Sequence, residues 1–322
     1  MPTFTMSKFL TTLKYYLKTI AFGSLICGCA LYGVIASVIL RLVNKGEYAQ
    51  YTVARAFLYT FSWALGVKIT VTNEKYLQSN PAIYISNHQS ALDIFLLGKI
   101  FQPGFSVTAK RSLKFVPILG WFMLLSGTFF LDRSKSDKAR KVLDSALASL
   151  KKDNRALFMF PEGTRSRTEK LEFLPFKKGA FHLAKQAGIP VVPIVISNTS
   201  NIFNSKRKVF NEGEIFVEVL PPVSTDDLET NEDVTKLCNK VNEDMLKVYQ
   251  RIGYSKVRGG KAAPLTEQGN TVKKTAVKNA DATAKIATVN DATAEEPIAK
   301  DSEDNIQAVE VSAEDTPLIV KD

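Results

Sequence analysis

The sequence predicts an α/β fold, in which a mixed, largely parallel sheet is flanked by helices and preceded by a membrane-anchoring helical segment. Three observations lead to this prediction. Short β-rich runs alternate with helical patterns through the middle of the chain, residues 20–40 carry no charge, and residues 255–322 contain no aromatic side chain. Alternation of this kind is typical of a sheet covered by helices. The 322 residues therefore divide into a basic amphipathic N-terminus at 1–19, a membrane anchor at 20–66, a folded domain at 67–254 and a disordered tail at 255–322.

The anchor begins with 21 uncharged residues at 20–40. At about 1.5 Å per residue, a helix of this length crosses a hydrocarbon core of about 30 Å. A second apolar stretch at 56–66, within a helix predicted for 51–66, is too short to cross and is rich in aromatic residues. It is typical of an interfacial or re-entrant helix near the lipid headgroups. Basic residues stand on both sides of the span, so the positive-inside rule gives no orientation.

The folded domain contains seven strand candidates, each of them a short apolar run. They are residues 67–71, 82–85, 106–108, 128–131, 156–160, 191–196 and 215–220. Helices are predicted at 137–151, 176–187 and 234–251, where apolar residues recur at helical spacing. A body of this length is an ordinary size for one domain.

Charge separates the domain from the tail. The chain has a net charge of +10, of which residues 255–322 contribute −3 and the rest +13. The tail has too little apolar surface to offset the entropy of ordering it, which predicts disorder. A basic body beside an apolar anchor suits anionic lipids and phosphorylated substrates, and it would also suit nucleic acid. Because the sequence shows no basic run with interleaved aromatics, the predicted partner is a phospholipid membrane, with no nucleic acid.

The strand at 82–85 leads into a polar run at 86–93 that holds one of the chain's two histidines, His88. If a helix starts at Ser90, Asp93 lies in its first turn, where the helix N-terminus favours a negative charge. Asp93 can then hold one nitrogen of His88 while the other nitrogen takes a proton from a hydroxyl. A structural histidine beside a helix capping box is the alternative interpretation.

Three other predicted strands end in charged turns, which contain Glu162 and Arg165, Asp132 and Arg133, and Lys110. Arginine offers a planar fork that suits a phosphate group. Each turn by itself is also explained by a local ion pair, such as Glu162 with Arg165, or by solvated surface charge. Because successive strands of an α/β sheet place such turns at one edge, we expect the turns to converge on a ligand there.

In chain order, residues 87–93, 127–133, 160–165 and 192–194 resemble the four motif blocks of the glycerolipid acyltransferase family. The similarity covers about residues 33–254 and is strongest to its lysophosphatidate acyltransferases, particularly the short fungal type. The resemblance implies the glycerolipid acyltransferase fold and an acyl-CoA-dependent activity. A fatty acyl group would pass to the sn-2 hydroxyl of lysophosphatidate, forming phosphatidate and CoA in phospholipid biosynthesis. It also implies a membrane location, in the endoplasmic reticulum or on lipid droplets.

The resemblance further implies roles for individual residues. His88 is implied as the general base and Asp93 as the residue that orients it. The other implied roles are phosphate binding by Lys110, Arg133 and Arg165, a substrate-binding loop of Glu162, Gly163 and Thr164, and contact with the acyl chain by Val192, Pro193 and Ile194. The run around Pro193 is explained equally well as a buried strand.

The remaining composition restricts other chemistry. The sequence has neither a Gly-x-Ser-x-Gly elbow nor a Gly-rich phosphate loop with Lys-Ser/Thr, so an acyl-serine enzyme and a nucleotide-binding protein are not predicted. With two histidines and no cluster of cysteine or carboxylate ligands, no metal is predicted, and acyl-CoA is expected as a co-substrate with no cofactor. Acylation of another lysophospholipid or of glycerol 3-phosphate, and non-catalytic lipid binding, stay open as alternatives. The oligomeric state is not predicted.

Overall fold

The structure is a computed structural model that describes residues 3–131, 147, 151–152 and 154–260. Arg133, the tail from residue 261 onward and most of the predicted helix 137–151 lie outside the described residues. Where that predicted helix is described, at 147 and 151–152, it is helical.

The described residues contain ten strands, and these carry most of the domain. They are β1 Val67–Thr72, β2 Ala82–Ser86, β3 Phe105–Lys110, β4 Phe129–Leu131, β5 Ala156–Met159, β6 Val191–Ile196, β7 Phe203–Asn204, β8 Val209–Phe210, β9 Gly213–Val219 and β10 Lys256–Val257. The main sheet has the order β1-β9-β6-β2-β5-β3-β4, with β10 beside β9, and β7 and β8 form a separate hairpin. Five of its strand pairs are parallel, whereas β6–β9 and β9–β10 are antiparallel. The predicted mixed, largely parallel sheet is therefore confirmed.

Helices cover both faces of this sheet. In the described part of the chain they are α1 Thr3–Leu42, α2 Ala49–Leu65, α3 Asp93–Ile100, α4 Leu119–Leu125, α5 Gly179–Ala187 and α6 Asn231–Ile252. Side chains alternate along β2, as expected for a strand. Tyr84 joins a core layer with α1, α2 and α3, whereas Ile83 and Ile85 join the layer with α5 and α6.

The predicted basic N-terminus and the predicted span form one continuous helix, α1, with no break between residues 19 and 20. Its last 34 residues are long and apolar enough to cross a membrane. The helix also packs on the domain. At the sixteenth residue of the helix the Lys18 ammonium lies 3.3 Å from the Glu212 carboxylate, and near the end of the helix Nε of Arg41 donates to the carbonyl of Leu125 at 2.8 Å. α1 therefore lies along the domain, which the sequence did not predict.

α2 coincides with the predicted interfacial helix at 51–66, but one of its faces belongs to the domain core. Phe57 and Phe61 are spaced one turn apart and are buried among strand residues. Tyr59 and Trp63 stand on the other face and are 69% and 88% exposed. The helix therefore has one face for the core and one apolar face that no described residue covers.

The folded domain continues past its predicted end at residue 254. Ser255 is buried and its amide donates to the carbonyl of Asn198 at 2.9 Å. β10 then pairs with β9, and the Arg258 guanidinium donates to the Glu212 carboxylate at 3.0 Å. Backbone pairing holds this short polar segment, so no apolar pattern in the sequence marks it.

α3 approaches α2 closely at Gly98. A Cβ atom at this position would lie 2.5 Å from the carbonyl oxygen of Ala54 and 2.9 Å from the Cβ of Leu58. Because Asp93 is the first residue of α3, this close contact also determines where the Asp93 carboxylate lies.

We expect Gly98→Ala to lower the free energy of unfolding by about 1–3 kcal/mol, because the added methyl group overpacks the α2–α3 contact. Gly179→Ala is the matched control, since a Cβ at this helical glycine meets no atom within 4 Å. The control should be neutral or stabilising by up to about 1 kcal/mol. Unfolding of both variants in detergent tests this, and equal stabilities would contradict the close contact.

Candidate active site

Four neighbouring strands, β2, β5, β3 and β4, bring their carboxyl ends to one edge of the sheet. The register of β2 with β5 puts His88 at the level of Glu162, and the register of β3 with β5 puts Lys110 at the level of Pro161. Neighbouring strands lie about 4.8 Å apart, so Lys110 is about 10 Å from His88 along this edge. The charged turns that follow β2, β3 and β5 therefore lie at the same edge of the sheet.

His88 and Asp93 form a direct contact at this edge. Nδ1 of His88 lies 2.7 Å from Oδ2 of Asp93. Because an ionised carboxylate only accepts hydrogen bonds, the proton lies on Nδ1 and the lone pair of Nε2 is available. No described residue forms a hydrogen bond with Nε2. The ring stacks on Phe160 with 3.9 Å between ring centres, and the side chain is 13% exposed, which leaves the ring edge within reach of a ligand.

The Asp93 carboxylate is itself held by the turn that carries His88. Its Oδ2 atom also accepts the amides of Gln89 at 2.6 Å and Ser90 at 3.0 Å. The Ser90 hydroxyl accepts the amide of Leu92 at 3.1 Å, just before α3 begins. Amide donors and the helix N-terminus together stabilise the negative charge of this buried group.

The residues on either side of His88 anchor its turn to β6. The Asn87 carboxamide donates to the carbonyl of Ile196 at 3.0 Å and accepts the amide of the same residue at 2.9 Å. The Gln89 carboxamide donates to the carbonyl of Ser197 at 3.0 Å and accepts the amide of Thr199 at 2.9 Å. No role was predicted for Asn87 or Gln89. The polar run directly after a buried strand could have indicated that these side chains anchor the turn.

The Glu162 side chain is buried against the backbone of the histidine turn, and its part in a substrate-binding loop stays a prediction. One carboxylate oxygen accepts the amide of His88 at 2.7 Å, and the other accepts the amide of Leu174 at 3.1 Å. Burial, together with a smaller effect of the negative charge of Asp93, raises the pKa of Glu162 to about 7 against the effect of these two amide donors. Glu162 thus positions the backbone of His88, with both oxygens committed to amides.

The turn after Glu162 is docked onto the His88 turn by two backbone hydrogen bonds. The amide of Ser166 donates to the carbonyl of His88 at 2.8 Å, and the amide of Arg167 donates to the carbonyl of Gln89 at 3.3 Å. Arg165 is therefore attached to the histidine turn by the next residue in the chain.

Gly163 closes the tight part of this turn. Its φ of +72° lies in the left-handed region that favours glycine, and its amide donates to the carbonyl of Phe160 at 3.1 Å. A Cβ atom on Gly163 would lie 3.0 Å from Cε of Lys177, so the Lys177 side chain lies over the turn. Lys177 falls within the predicted helix 176–187, but α5 begins at Gly179 and leaves this lysine beside the site.

The other predicted site residues divide into two groups. Thr164 is exposed, and Lys110 and Arg165 are half-buried at the same edge as His88. Val192, Pro193 and Ile194 are buried in the middle of β6, where Val192 and Ile194 fill the core, and their contact with an acyl chain stays a prediction. Arg133 lies beyond the described end of β4, so its role is also a prediction.

The arrangement can remove a proton from a ligand at Nε2 of His88 and hold an anion at the neighbouring cations. Within the described ranges, no three His, Cys, Asp or Glu side chains group closely enough to hold a metal ion.

Replacing Glu162 by Gln should change how stability depends on pH. Because the folded-state pKa of about 7 lies above the ordinary 4.5, this carboxyl stabilises the fold below about pH 4.5 and the stabilisation is lost as the pH rises through about 7. Between about pH 5 and pH 8, the free energy of unfolding of the wild type should fall by about 2–3 kcal/mol relative to that of Glu162→Gln. Unfolding in detergent at several pH values measures this difference. The loss of a carboxylate acceptor in Glu162→Gln changes the free energy of unfolding equally at every pH, so it does not affect the pH dependence. Glu172→Gln, at an exposed position, is the control, and parallel pH curves for wild type and Glu162→Gln would contradict the prediction.

Comparisons with known proteins fit this site. Residues 68–197, which contain the histidine turn and the docked turn, match the family model described as Acyltransferase. The chain is 50% identical to 1-acyl-sn-glycerol-3-phosphate acyltransferase of Saccharomyces cerevisiae over 75% of this chain and 79% of the yeast protein. It is 32% identical to the human 1-acyl-sn-glycerol-3-phosphate acyltransferase beta over 78% of this chain and 88% of the human protein.

A solved structure shares the fold. The crystal structure of the 1-acyl-sn-glycerophosphate acyltransferase PlsC from Thermotoga maritima superposes with a TM-score of 0.55, at 24% identity, over 76% of this chain and 97% of PlsC. Identity to the yeast and human proteins over most of their length is sufficient to assign the family. The chain belongs to the 1-acyl-sn-glycerol-3-phosphate acyltransferase family.

Proposed function

We propose that this protein transfers a fatty acyl group from acyl-CoA to the sn-2 hydroxyl of lysophosphatidate, forming phosphatidate and CoA in phospholipid biosynthesis. The observation that carries the proposal is the His88–Asp93 pair, which lies at the edge of the sheet where the turns with Lys110 and Arg165 also lie. The yeast and human relatives are both named for 1-acyl-sn-glycerol-3-phosphate, which is lysophosphatidate, and this supports the choice of acceptor.

The reaction needs one base. Nε2 of His88 takes the proton of the acceptor hydroxyl as its oxygen attacks the thioester carbonyl carbon, and Asp93 stabilises the imidazolium that forms. When the C–S bond breaks, the imidazolium returns the proton to the sulfur, and CoA leaves as the thiol. A thiolate is a good leaving group, so no acyl-enzyme is required. A base of this kind contributes about 10²–10⁴ in rate.

The phosphate group of the acceptor is assigned to Arg165 in the turn after β5 and to Lys110 at the end of β3. Arg165 suits a phosphate because its guanidinium forms two parallel hydrogen bonds, and Lys110 adds a point charge. Lys177 lies over Gly163 and adds a third charge nearby. Arg133 is proposed as a further ligand on the strength of the family motif. Contacts of this kind contribute about 1.5–3 kcal/mol each, enough to prefer a phosphomonoester over a neutral headgroup.

We also propose that the protein works at a membrane. Large apolar side chains are exposed on α1, on α2 at Trp63, on α4 at Trp121 and at Phe115 in the short 3-10 turn between β3 and α4. Exposed apolar surface of this extent is typical of a site that contacts lipid or protein. Placement in the endoplasmic reticulum, or on lipid droplets, follows the family resemblance alone.

The activity test uses purified full-length protein with lysophosphatidate and oleoyl-CoA, and measures CoA release. His88→Ala should lower kcat by about 10²–10⁴ without loss of folding, because the base is removed. His182→Ala is the matched control, since this exposed histidine on α5 is the chain's other imidazole. Arg165→Ala should raise the KM for lysophosphatidate by about tenfold or more and leave the KM for oleoyl-CoA little changed. Full activity of His88→Ala would refute the assignment of His88 as the general base. A preference for glycerol 3-phosphate over lysophosphatidate would refute the assignment of the acceptor.

Membrane contact can be read from the two tryptophans of the chain, because both are exposed on the proposed contact helices. Trp63→Phe and Trp121→Phe each leave one reporter. On addition of phosphatidylcholine–phosphatidylglycerol vesicles, each variant should shift its emission to the blue and be quenched by brominated lipid acyl chains. A reporter that neither shifts nor is quenched would exclude its helix from the membrane contact.

A further inference from the structure

A cavity of about 570 Å³ lies at the edge of the sheet opposite to His88. It is lined by Arg41, Gly46, Glu47, Leu125, Ser126, Gly127 and Arg155. Arg155 immediately precedes β5, so the cavity borders the amino ends of strands whose carboxyl ends form the active site. The chain from Arg155 to Phe160 spans about 16 Å at about 3.3 Å per residue. A group bound in this cavity is therefore too far from His88 to react there.

Two guanidinium groups in the cavity have hydrogen-bond donors to spare. Arg41 uses Nε for the carbonyl of Leu125 at 2.8 Å. Arg155 uses Nε for the carbonyl of Gly104 at 3.3 Å and Nη2 for the hydroxyl of Ser106 at 3.0 Å. Within the described part of the chain, neither group forms a salt bridge with a carboxylate, Glu47 included. Because each guanidinium carries five N–H donors, several remain for an anion.

The cavity wall is held in place by the protein itself. The Gln50 carboxamide, which is buried, donates to the carbonyl of Ser126 and to the hydroxyl of Thr128, each at 3.2 Å. The same contacts fix the turn between α4 and β4, and Arg41 ties that turn to the end of α1. The two arginines thus face a preformed wall, which lowers the entropy lost on binding.

Exposed apolar side chains lie close in the chain to residues that line the cavity. Leu42 and Val43 follow Arg41 and are exposed, and Trp121 and Leu124 are exposed on the helix that ends at Leu125. A cationic pocket beside exposed apolar surface matches a molecule with a phosphate group and acyl chains. In other proteins, basic pockets beside membrane helices bind lipid headgroups.

We propose that this cavity binds the phosphate group of an anionic phospholipid whose acyl chains lie along the exposed apolar residues of α1 and α4. Arg41 and Arg155 hold the phosphate oxygens, and Glu47 opposes the anion from the same cavity. The site is separate from the catalytic edge and does not depend on the proposed acyl transfer.

The test uses the full chain in non-ionic detergent micelles and follows the midpoint of thermal unfolding, because a ligand of the native state raises it. Phosphatidylglycerol should raise the midpoint, and phosphatidylcholine should not. Arg41→Gln and Arg155→Gln should each need about tenfold more phosphatidylglycerol for half of the rise. Glu47→Gln should need less than wild type, because it removes the opposing charge. This effect of opposite sign keeps the test informative if an arginine variant folds poorly.

Lys45→Gln is the matched control, because Lys45 is an exposed cation one residue before the cavity and does not line it. It should leave the response to phosphatidylglycerol unchanged. An equal loss in Lys45→Gln and Arg41→Gln would overturn the proposal in favour of general surface charge. A full rise with soluble glycerol 3-phosphate alone would overturn the lipid assignment. Loss of the rise in Arg165→Ala would overturn the location, because the anion would then bind at the catalytic edge.

Discussion

The contact between His88 and the buried Asp93 carboxylate is the constraint on which the active site depends. A buried charge is costly unless hydrogen bonds compensate it. Oδ2 of Asp93 accepts from the imidazole and from the amides of Gln89 and Ser90, so the carboxylate and the turn stabilise each other. The turn can form in this shape because α3 begins at Asp93 and its N-terminus favours the charge. The His88–Asp93 pair is thus part of the local fold of the chain.

Three strands share the task of holding this turn. The turn continues directly from β2, Asn87 binds the end of β6, and Glu162 reaches back from the turn after β5 to the amide of His88. A base must be held close to its productive position, since small displacements cost rate. A carboxylate that spends both oxygens on backbone amides serves this purpose, and its raised pKa is the consequence of placing it in the interior. The histidine turn therefore lies at the edge of the sheet, and the buried polar side chains of Asn87 and Glu162 hold it in place.

The sequence predicted the parts of the fold that repeat a local pattern. Buried parallel strands appear as apolar runs, and a histidine and an aspartate after one of them indicate a turn and a helix start. It could not predict which way Glu162 points, because the turn itself allows either direction and the amides that select it come from distant residues. The sequence also could not separate the exposed from the core-facing residues of α2, because Phe61 and Trp63 are both apolar and the sheet beneath the helix determines which of them is buried. The segment at 255–260 was missed because main-chain pairing with β9 holds it.

The segment between β3 and β4 connects the two edges of the sheet. It leaves the edge of the sheet that carries His88 at Lys110, passes the exposed Phe115 and Trp121, and reaches the opposite cavity at Leu125. α1 has 40 residues and is about 60 Å long, about twice a hydrocarbon core, and it is tied to the domain at Lys18 and again near its C-terminal end at Arg41. A bilayer that contacts α1 must therefore also meet the domain surface beside it. Under the proposed membrane contact, the exposed apolar residues would hold lipid chains while cations at the two edges select their phosphate groups.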